Sequence, residues 1–216
     1  PRLIAAVPPA VATAAIQSGV AQKPISDMNA YRTELSARLD PTVASLQVIA
    51  AEVARKPKRM VFAEGEEERA IRAAIAYRNG GYGEAILVAR RRKVEAAISD
   101  MGIRPDDLDG IVIANASESE HNETYLKTLY SRLQRKGALL RDCQRMVNQD
   151  RNVFAACMVD AGHADAMVTG LTRTYHTALD EVRRVIPSRT GELVFALTLL
   201  IGRGRTLFIA DTAVKE

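Results

Sequence analysis

A polar turn, Thr169–Thr174, carries the residue types best suited to chemistry in this sequence. It follows a short apolar run that is typical of a strand, and it precedes a helical pattern. In open α/β sheets, ligands bind just past the carboxyl ends of strands, where free N–H groups at a helix N-terminus favour an anion. Hydroxyl, guanidinium and backbone N–H donors would come from Thr169, Gly170, Thr172 and Arg173. The residue types leave two interpretations open: a phosphate-binding turn, or, as is more common, a turn whose threonines cap the helix and whose Arg173 is solvated.

A second candidate is Glu64, which follows an apolar run in the segment Phe62-Ala63-Glu64-Gly65. A carboxylate at the carboxyl end of a strand can act as the acid/base group of a catalytic site. Such a carboxylate can instead cap the helix that follows, and the negative charges of Glu66, Glu67 and Glu68 indicate that a helix begins there. The sequence leaves both interpretations of Glu64 open.

The signatures of metal, nucleotide-cofactor and nucleophilic sites are missing from the sequence. The three histidines, His121, His163 and His176, are far apart and lack metal-ligand spacing, so no metal site is expected. The glycine patterns of dinucleotide-binding folds, P-loops and serine-hydrolase elbows are also absent. Cys143 and Cys157 lie in apolar helical patterns without a CxxC pair, which predicts buried thiols in the reducing cytoplasm.

Composition indicates a soluble globular protein of one or two domains. The chain has 216 residues, of which 47% are hydrophobic, and its mean hydropathy is -0.09. No apolar run approaches the ~20 residues of a membrane-spanning helix, so membrane insertion is not expected. The formal charge is +4, and the basic run Arg90–Lys93 is typical of a solvated helix start. Nucleic-acid binding is the weaker interpretation of that run, because aromatic residues for base stacking are scarce.

The elements that would position these residues follow two different patterns. Residues 1–57 show helical periodicities and no strand, whereas from Lys58 onward short apolar runs alternate with amphipathic helices. That alternation predicts a parallel sheet covered by helices. Strands are predicted at residues 59–63, 85–88, 111–113 and 166–168, and a hairpin at 193–201 and 207–210 through Gly202-Arg203-Gly204. Because a parallel α/β sheet should not end on an uncovered strand, further C-terminal sequence is expected.

The chain from Lys58 resembles the phosphate acetyltransferase (phosphotransacetylase) family in several ordered motifs. The motifs are Arg59–Arg69 (RMVFAEGEEER), Arg135-Lys136-Gly137, Asn152–Val159 (NVFAACMV), Gly162–Gly170 (GHADAMVTG) and Phe208–Val214 (FIADTAV). The resemblance implies an α/β fold of three layers (αβα) with a mostly parallel sheet. This is the isocitrate/isopropylmalate dehydrogenase-like fold of phosphotransacetylases, truncated here at the C-terminus.

The first 40 residues are similar to the tail of the NAD(P)-binding domain of bacterial malic enzymes. The similarity lies in Pro1–Ile4, Pro9–Ala12, Ser18–Ala21, Pro24-Ile25 and Ala30–Arg32. Together the two resemblances point to hybrid bacterial malic enzymes, in which a malic-enzyme half precedes a phosphotransacetylase-like half. They imply a helical tail at 1–40, a linker helix at 41–57 and an incomplete transferase-like domain at 58–216. The NADP and the Mg or Mn of malate oxidation would belong upstream, so this chain alone is expected to hold no cofactor and no catalytic residue.

Two positions depart from the pattern of active transferases. The family carries one arginine three residues before a Lys-Gly pair, where this chain has Leu133, and a second after the Gly162–Gly170 motif, where it has Asp180. Arginine pairs with phosphate through two strong hydrogen bonds, and an aspartate reverses the charge that a phosphate needs. Arg132 or Arg173 would have to substitute for catalysis to survive. The resemblance therefore implies a module that binds a ligand without acting on it.

The function implied by the resemblance is acetyl-CoA sensing and homo-oligomer assembly within a cytoplasmic NADP-dependent malic enzyme. Candidate contacts to the phosphates of acetyl-CoA are Thr169, Gly170, Thr172, Arg173, Arg135 and Lys136. Two other functions stay open. One is an active phosphate acetyltransferase, which would convert acetyl-CoA and phosphate into acetyl phosphate and CoA; the other is a dimerisation module without a ligand. Neither a nucleic acid nor a membrane is expected as a partner.

Overall fold

The computed structural model describes residues 2–25, 27–39, 41–192, 194–202 and 205–210. The chain forms two compact units, one of Val53–Leu193 and one of Pro1–Glu52 with Val194–Glu216. This division reflects which residues contact one another within the chain. The limits 1–40, 41–57 and 58–216 rest instead on family resemblance, and they stay a prediction. Within the described ranges, no helix combines the length and the apolar character needed to cross a membrane.

Nine helices and six strands follow one another along the described part of the chain. In chain order they are α1 (Arg2–Gln17), α2 (Met28–Leu39), α3 (Pro41–Arg55), β1 (Met60–Phe62), α4 (Glu68–Asn79), β2 (Ala85–Val88), α5 (Arg91–Asp100), β3 (Ile111–Ala114), α6 (Asn122–Leu133), α7 (Leu140–Gln149), α8 (Arg151–Asp160), β4 (Ala166–Val168), α9 (Tyr175–Val185), β5 (Leu197–Gly202) and β6 (Arg205–Ala210). Short 3-10 turns at Pro105–Leu108 and Gln134–Lys136 precede β3 and α7.

The unit Val53–Leu193 is built on a parallel sheet of four strands in the order β3-β2-β1-β4. Met60 lies opposite Ala85 of β2 on one side and opposite Ala166 of β4 on the other. The predicted strands and the α/β class with a mostly parallel sheet are confirmed. The chain order runs outward from β1 through β2 to β3 and then returns to the other side of β1, so the loops that follow β1 and β4 are neighbours at the carboxyl edge.

Helices cover both faces of this sheet and give it three layers. Successive residues of a strand point to opposite faces, and accordingly Val61 and Phe62 of β1 belong to two separate apolar clusters. Val61 packs in the cluster that includes residues of α6, α7, α8 and α9, whereas Phe62 packs with residues of α4 and α5. The two inner strands, β1 and β2, are buried on both sides, which explains why they appear in the sequence as continuous apolar runs. Both cysteines are buried and free, as predicted.

The other unit contains α1, α2, the first part of α3 and an antiparallel pair, β5 and β6. Asp27 caps α2, since its Oδ1 accepts a hydrogen bond from the backbone N–H of Ala30 at 2.9 Å. The predicted hairpin is confirmed, although residues 203 and 204 of its turn lie outside the described residues, as do residues 211–214 of the last family motif. The hairpin is rich in exposed apolar side chains, with Phe208 69% exposed.

Candidate functional site

The turn after β4 directs its free donors at one carboxylate, Glu64, at the carboxyl end of β1. The backbone N–H groups of Gly170 and Leu171 donate to Oε2 of Glu64 at 2.8 and 2.6 Å. The N–H and the hydroxyl of Thr172 donate to Oε1 at 2.6 and 2.5 Å. Because β1 and β4 are adjacent, the side chain needs only to cross from one strand end to the next. The turn therefore has the geometry of an anion site, and a carboxylate of the same chain occupies it.

Glu64 is held in its ionised form by this arrangement. The residue is 3% exposed. Burial raises its pKa, but the hydrogen bonds from Thr172, Leu171 and Gly170 outweigh burial and hold the pKa of this carboxyl below its usual range. The helix-capping interpretation of Glu64 is wrong, since α4 begins at Glu68 with Glu67 at its N-cap. Glu64 instead anchors the turn after β4.

Thr169 and Arg173, at the two sides of the turn, belong to a second internal network. The hydroxyl of Thr169 donates to Oδ1 of Asn152 at 2.6 Å, and Nδ2 of Asn152 donates to Glu181 at 2.7 Å. Arg173 donates to the carboxylates of Asp150, at 3.0 Å, and of Glu181. Asn152 and Glu181 are 2% and 6% exposed, so the network lies in the interior. It connects the turn to the N-terminus of α8 and to Glu181 of α9.

The expectation that Arg173 is solvated is therefore wrong, because the guanidinium is ion-paired with two carboxylates. The other half of that interpretation is confirmed for one threonine. Thr174 is the N-cap of α9, and its hydroxyl oxygen accepts from the N–H of Thr177. Asn152 and Glu181 were not predicted as site residues, since nothing local in the sequence marks a buried amide and a buried carboxylate on two helices as partners.

The six predicted contact residues are not gathered at one place. Thr169, Gly170, Thr172 and Arg173 share the turn after β4, where each has a partner within the chain. Arg135 and Lys136 are exposed in the 3-10 turn that follows α6. The contact of these residues with acetyl-CoA stays a prediction. Among the described residues, no group of three or more His, Cys, Asp or Glu is arranged to hold a metal ion.

A groove of 570 Å³ between α6, α7 and α9 brings together the two positions that depart from the transferase pattern. We call it the basic groove. Leu133 and Asp180 both line it, and so does Lys136. Arg183 and Arg184, in the last turn of α9, supply two further cations that the sequence analysis missed. A pair of arginines is common at a helix C-terminus, where the helix dipole favours positive charge, so the sequence pattern alone gives no functional signal.

Several curated proteins similar to this chain bear the name malic enzyme, and more distant ones bear the name phosphate acetyltransferase. The chain is 53% identical over 100% of its length to the NADP-dependent malic enzyme of Rhizobium meliloti (strain 1021), of which it covers 28%. It is 41% identical, again over 100% of its length, to the probable NADP-dependent malic enzyme of Rickettsia prowazekii (strain Madrid E), of which it also covers 28%. The chain thus spans less than a third of the length of these relatives.

A solved structure with a similar fold and a match to a family model agree with each other. The EutD phosphotransacetylase from Staphylococcus aureus superposes with a TM-score of 0.71 and 21% identity, over 81% of this chain and 52% of that one, which shows a shared fold. Residues 44–216 match the family described as Phosphate acetyl/butaryl transferase. With most of its length inside that match and with the fold in agreement, the chain belongs to the phosphate acetyl/butaryl transferase family.

Proposed function

We propose that this chain is the regulatory and assembly module of a cytoplasmic NADP-dependent malic enzyme, and that it binds acetyl-CoA without transferring the acetyl group to phosphate. Two relatives with the name NADP-dependent malic enzyme support this context, since they match the chain along 100% of its length. In this proposal, the oxidative decarboxylation of malate, with its NADP and Mg or Mn, is the work of a different part of the enzyme.

The observation that carries the proposal is that Leu133 and Asp180 both line the basic groove. An apolar side chain and a carboxylate stand where the resemblance to active transferases would place two arginines. Loss of one charge-stabilising contact to a transition state typically lowers the rate by ~10²-fold or more. At Asp180 the change goes further, because a carboxylate repels the phosphate that an arginine would attract. The groove therefore suits the binding of acetyl-CoA better than the transfer of its acetyl group to phosphate.

The cations that remain in the groove support the binding of a phosphorylated ligand. Lys136, Arg183 and Arg184 set three positive charges against the one negative charge of Asp180. The volume of 570 Å³ lies within the range of ligand pockets, about 300–1,000 Å³. We assign the phosphates of acetyl-CoA to these three cations. Arg135 is adjacent in sequence to Lys136 and adds to the positive potential around the groove.

The turn after β4 takes a different part in this proposal. Its donors at Gly170 and Thr172 are engaged by Glu64, and Thr169 and Arg173 are engaged by Asn152 and Glu181. These bonds fix the start of α9, and α9 carries Asp180, Arg183 and Arg184 to the groove. The turn residues of the predicted set thus support the ligand site by orienting α9.

A working phosphate acetyltransferase is the second candidate. Arg183 and Arg184 favour it, because both lie in the same groove as Asp180 and could replace the missing arginines. A coupled assay for acetyl phosphate with the complete enzyme separates the two functions. No formation of acetyl phosphate is expected under the first proposal, and turnover at the rate of a free-standing transferase contradicts it.

Calorimetric titration of acetyl-CoA tests the binding part of the proposal. Arg183→Ala is expected to weaken binding by about tenfold, the loss of one charged contact. Arg189→Ala is the matched control, since Arg189 has an 85% exposed side chain and is not part of the groove lining. Asp180→Arg is expected to tighten binding. The absence of any heat with wild type, combined with an unchanged malate oxidation rate of the complete enzyme in acetyl-CoA, would overturn the proposal.

Assembly is tested separately by sedimentation equilibrium. The complete enzyme is expected to form a homo-oligomer. Removal of the segment that corresponds to this chain is expected to lower the number of subunits in that oligomer. Retention of the same oligomer without the segment contradicts the assembly role and leaves the acetyl-CoA result unaffected.

A further inference from the structure

A second concave site lies at the carboxyl ends of β2 and β3 and shares no lining residue with the basic groove. Its volume is 330 Å³. The polar part of the wall is formed by Glu66, Arg90, Asn115, Ser117, Asn148, Gln149 and Arg151. These residues come from the ends of two strands, the end of α7 and the start of α8, so several elements converge on the pocket. We call it the edge pocket.

Two arginines, Arg90 and Arg151, lie in the wall of the edge pocket. Arg90 is paired with Glu66, and its Nε lies 2.7 Å from Oε1 of that carboxylate. Arg151 has no comparable partner. Its Nη1 is buried and makes no hydrogen bond in the described part of the chain, and the carboxylate of Glu67 lies 3.9 Å away. The wall thus holds two guanidinium groups and the carboxylate of Glu66, and Glu67, which is outside the lining, lies within ion-pair distance of Arg151.

The basic run noted in the sequence continues directly from this wall. Arg91, Arg92 and Lys93 form the first turn of α5 and are exposed. Basic residues in a first turn oppose the helix dipole, so they do not serve the stability of α5. They follow Arg90 without a gap and therefore raise the positive potential near the edge pocket, which attracts an anion.

The uncharged polar residues of the wall indicate which other functional groups the anion has. Asn148 and Gln149 present amides, which can both donate to and accept from a hydroxyl group, and Ser117 adds a hydroxyl. A volume of 330 Å³ is near the lower end of the range for ligand pockets, about 300–1,000 Å³. The volume therefore limits the ligand to a small molecule, and the polar side chains of the wall suit one that carries several hydroxyl groups and one phosphate.

We propose that the edge pocket binds a phosphate monoester of a small sugar. The guanidinium groups of Arg151 and Arg90 hold the phosphate, and the side chains of Asn148, Gln149 and Ser117 hold the sugar hydroxyls. Arg151 takes the larger share of the phosphate contact, because Arg90 is already committed to Glu66. This inference does not rest on acetyl-CoA binding in the basic groove.

Isothermal titration of the 216-residue chain with ribose 5-phosphate, inorganic phosphate and ribose tests the proposal. Ribose 5-phosphate is expected to bind with a Kd of about 1 mM or lower, inorganic phosphate about tenfold more weakly, and ribose without detectable heat. Arg151→Gln removes the charge and is expected to weaken the sugar phosphate about tenfold. Arg141→Gln, the same change at an exposed position outside the pocket lining, is expected to bind like wild type.

Ser117→Ala provides a second variant on an exposed loop residue. It is expected to weaken ribose 5-phosphate and to leave the affinity for inorganic phosphate unchanged. The proposal is overturned if wild type gives no heat with ribose 5-phosphate at about 10 mM, far above the expected Kd. Equal affinities for the ester and for inorganic phosphate, or an unchanged affinity in folded Arg151→Gln, would overturn it as well.

Discussion

Replacement of Glu64 by glutamine tests whether this carboxylate holds the turn after β4 together. The change keeps the size of the side chain and converts one acceptor oxygen into an NH₂ donor. If the amide nitrogen takes the place of Oε1, the hydroxyl of Thr172 can turn and accept, but the N–H of Thr172 loses its partner. In the opposite orientation the N–H groups of Gly170 and Leu171 both lose theirs. At least one buried donor is therefore left unsatisfied.

The expected loss in the free energy of unfolding follows from the number of hydrogen bonds that Glu64→Gln affects. An unsatisfied buried donor costs about 1–3 kcal/mol, and the bonds that remain are weaker once the acceptor is neutral. We expect Glu64→Gln to lower the free energy of unfolding by about 3 kcal/mol. A domain is typically stable by about 5–15 kcal/mol, so this loss is a substantial fraction of the total.

Urea denaturation followed by far-ultraviolet circular dichroism measures this difference. For a slope of about 2 kcal/mol per molar urea, the midpoint is expected to fall by about 1.5 M. Glu68→Gln is the matched control, because Glu68 is exposed in the first turn of α4 and loses only a helix-dipole contribution below about 1 kcal/mol.

The pH dependence gives an independent check on the same residue. The pKa of Glu64 is lower in the folded protein than its usual value of 4.5, so its stabilising effect is complete above that value. The effect is lost as pH falls through the folded-state pKa, because protonation removes the acceptor. The difference between wild type and Glu64→Gln should therefore shrink below pH 4.5. A loss under about 1 kcal/mol at neutral pH, or a difference that stays constant in acid, would refute the reasoning.

Two further substitutions follow from contacts in the same unit. An added Cβ at Gly83, where φ is +141°, would lie 2.0 Å from the carbonyl oxygen of Lys58. Gly83→Ala should therefore lower the free energy of unfolding by about 2 kcal/mol more than Gly102→Ala, whose φ is +65° but whose added Cβ has open space; equal melting temperatures of the two variants would contradict this. Asp150→Ala removes the N-cap of α8 and an ion pair with Arg173, and we expect a loss of about 2 kcal/mol in thermal unfolding; a loss below about 0.5 kcal/mol would show that the cap contributes little.

The elements of the fold were predictable because their signals are local. A strand buried on both faces is a run of apolar residues, and β2 (Ala85–Val88) is read directly from the sequence for that reason. Helix caps are equally local, as Thr174 before α9 illustrates. The hairpin of β5 and β6 followed from two apolar runs joined by glycines.

The partners within the candidate site were not predictable, because they depend on the order of the strands. Glu64 meets Gly170 only because β4 returns to the side of β1 that β2 leaves free. Before that order is known, a carboxylate after a strand can cap a helix, catalyse or bind a neighbouring loop. The same reason applies to Asn152 and Glu181, which meet through the packing of α8 on α9. Leu133 and Asp180 were identified by resemblance, and the structure adds that they share one groove.

Strand β1 pairs with two strands that lie at very different distances along the chain, and this affects the rate of unfolding. Met60 pairs with Ala85 on one side and with Ala166 on the other. Contacts between distant segments require the closure of a long loop, so they tend to form late in folding. The bond from Gly170 to Glu64 spans 106 residues and belongs to that late stage. A change at Glu64 should thus accelerate unfolding and leave refolding nearly unchanged, so that this one carboxylate governs the lifetime of the folded state.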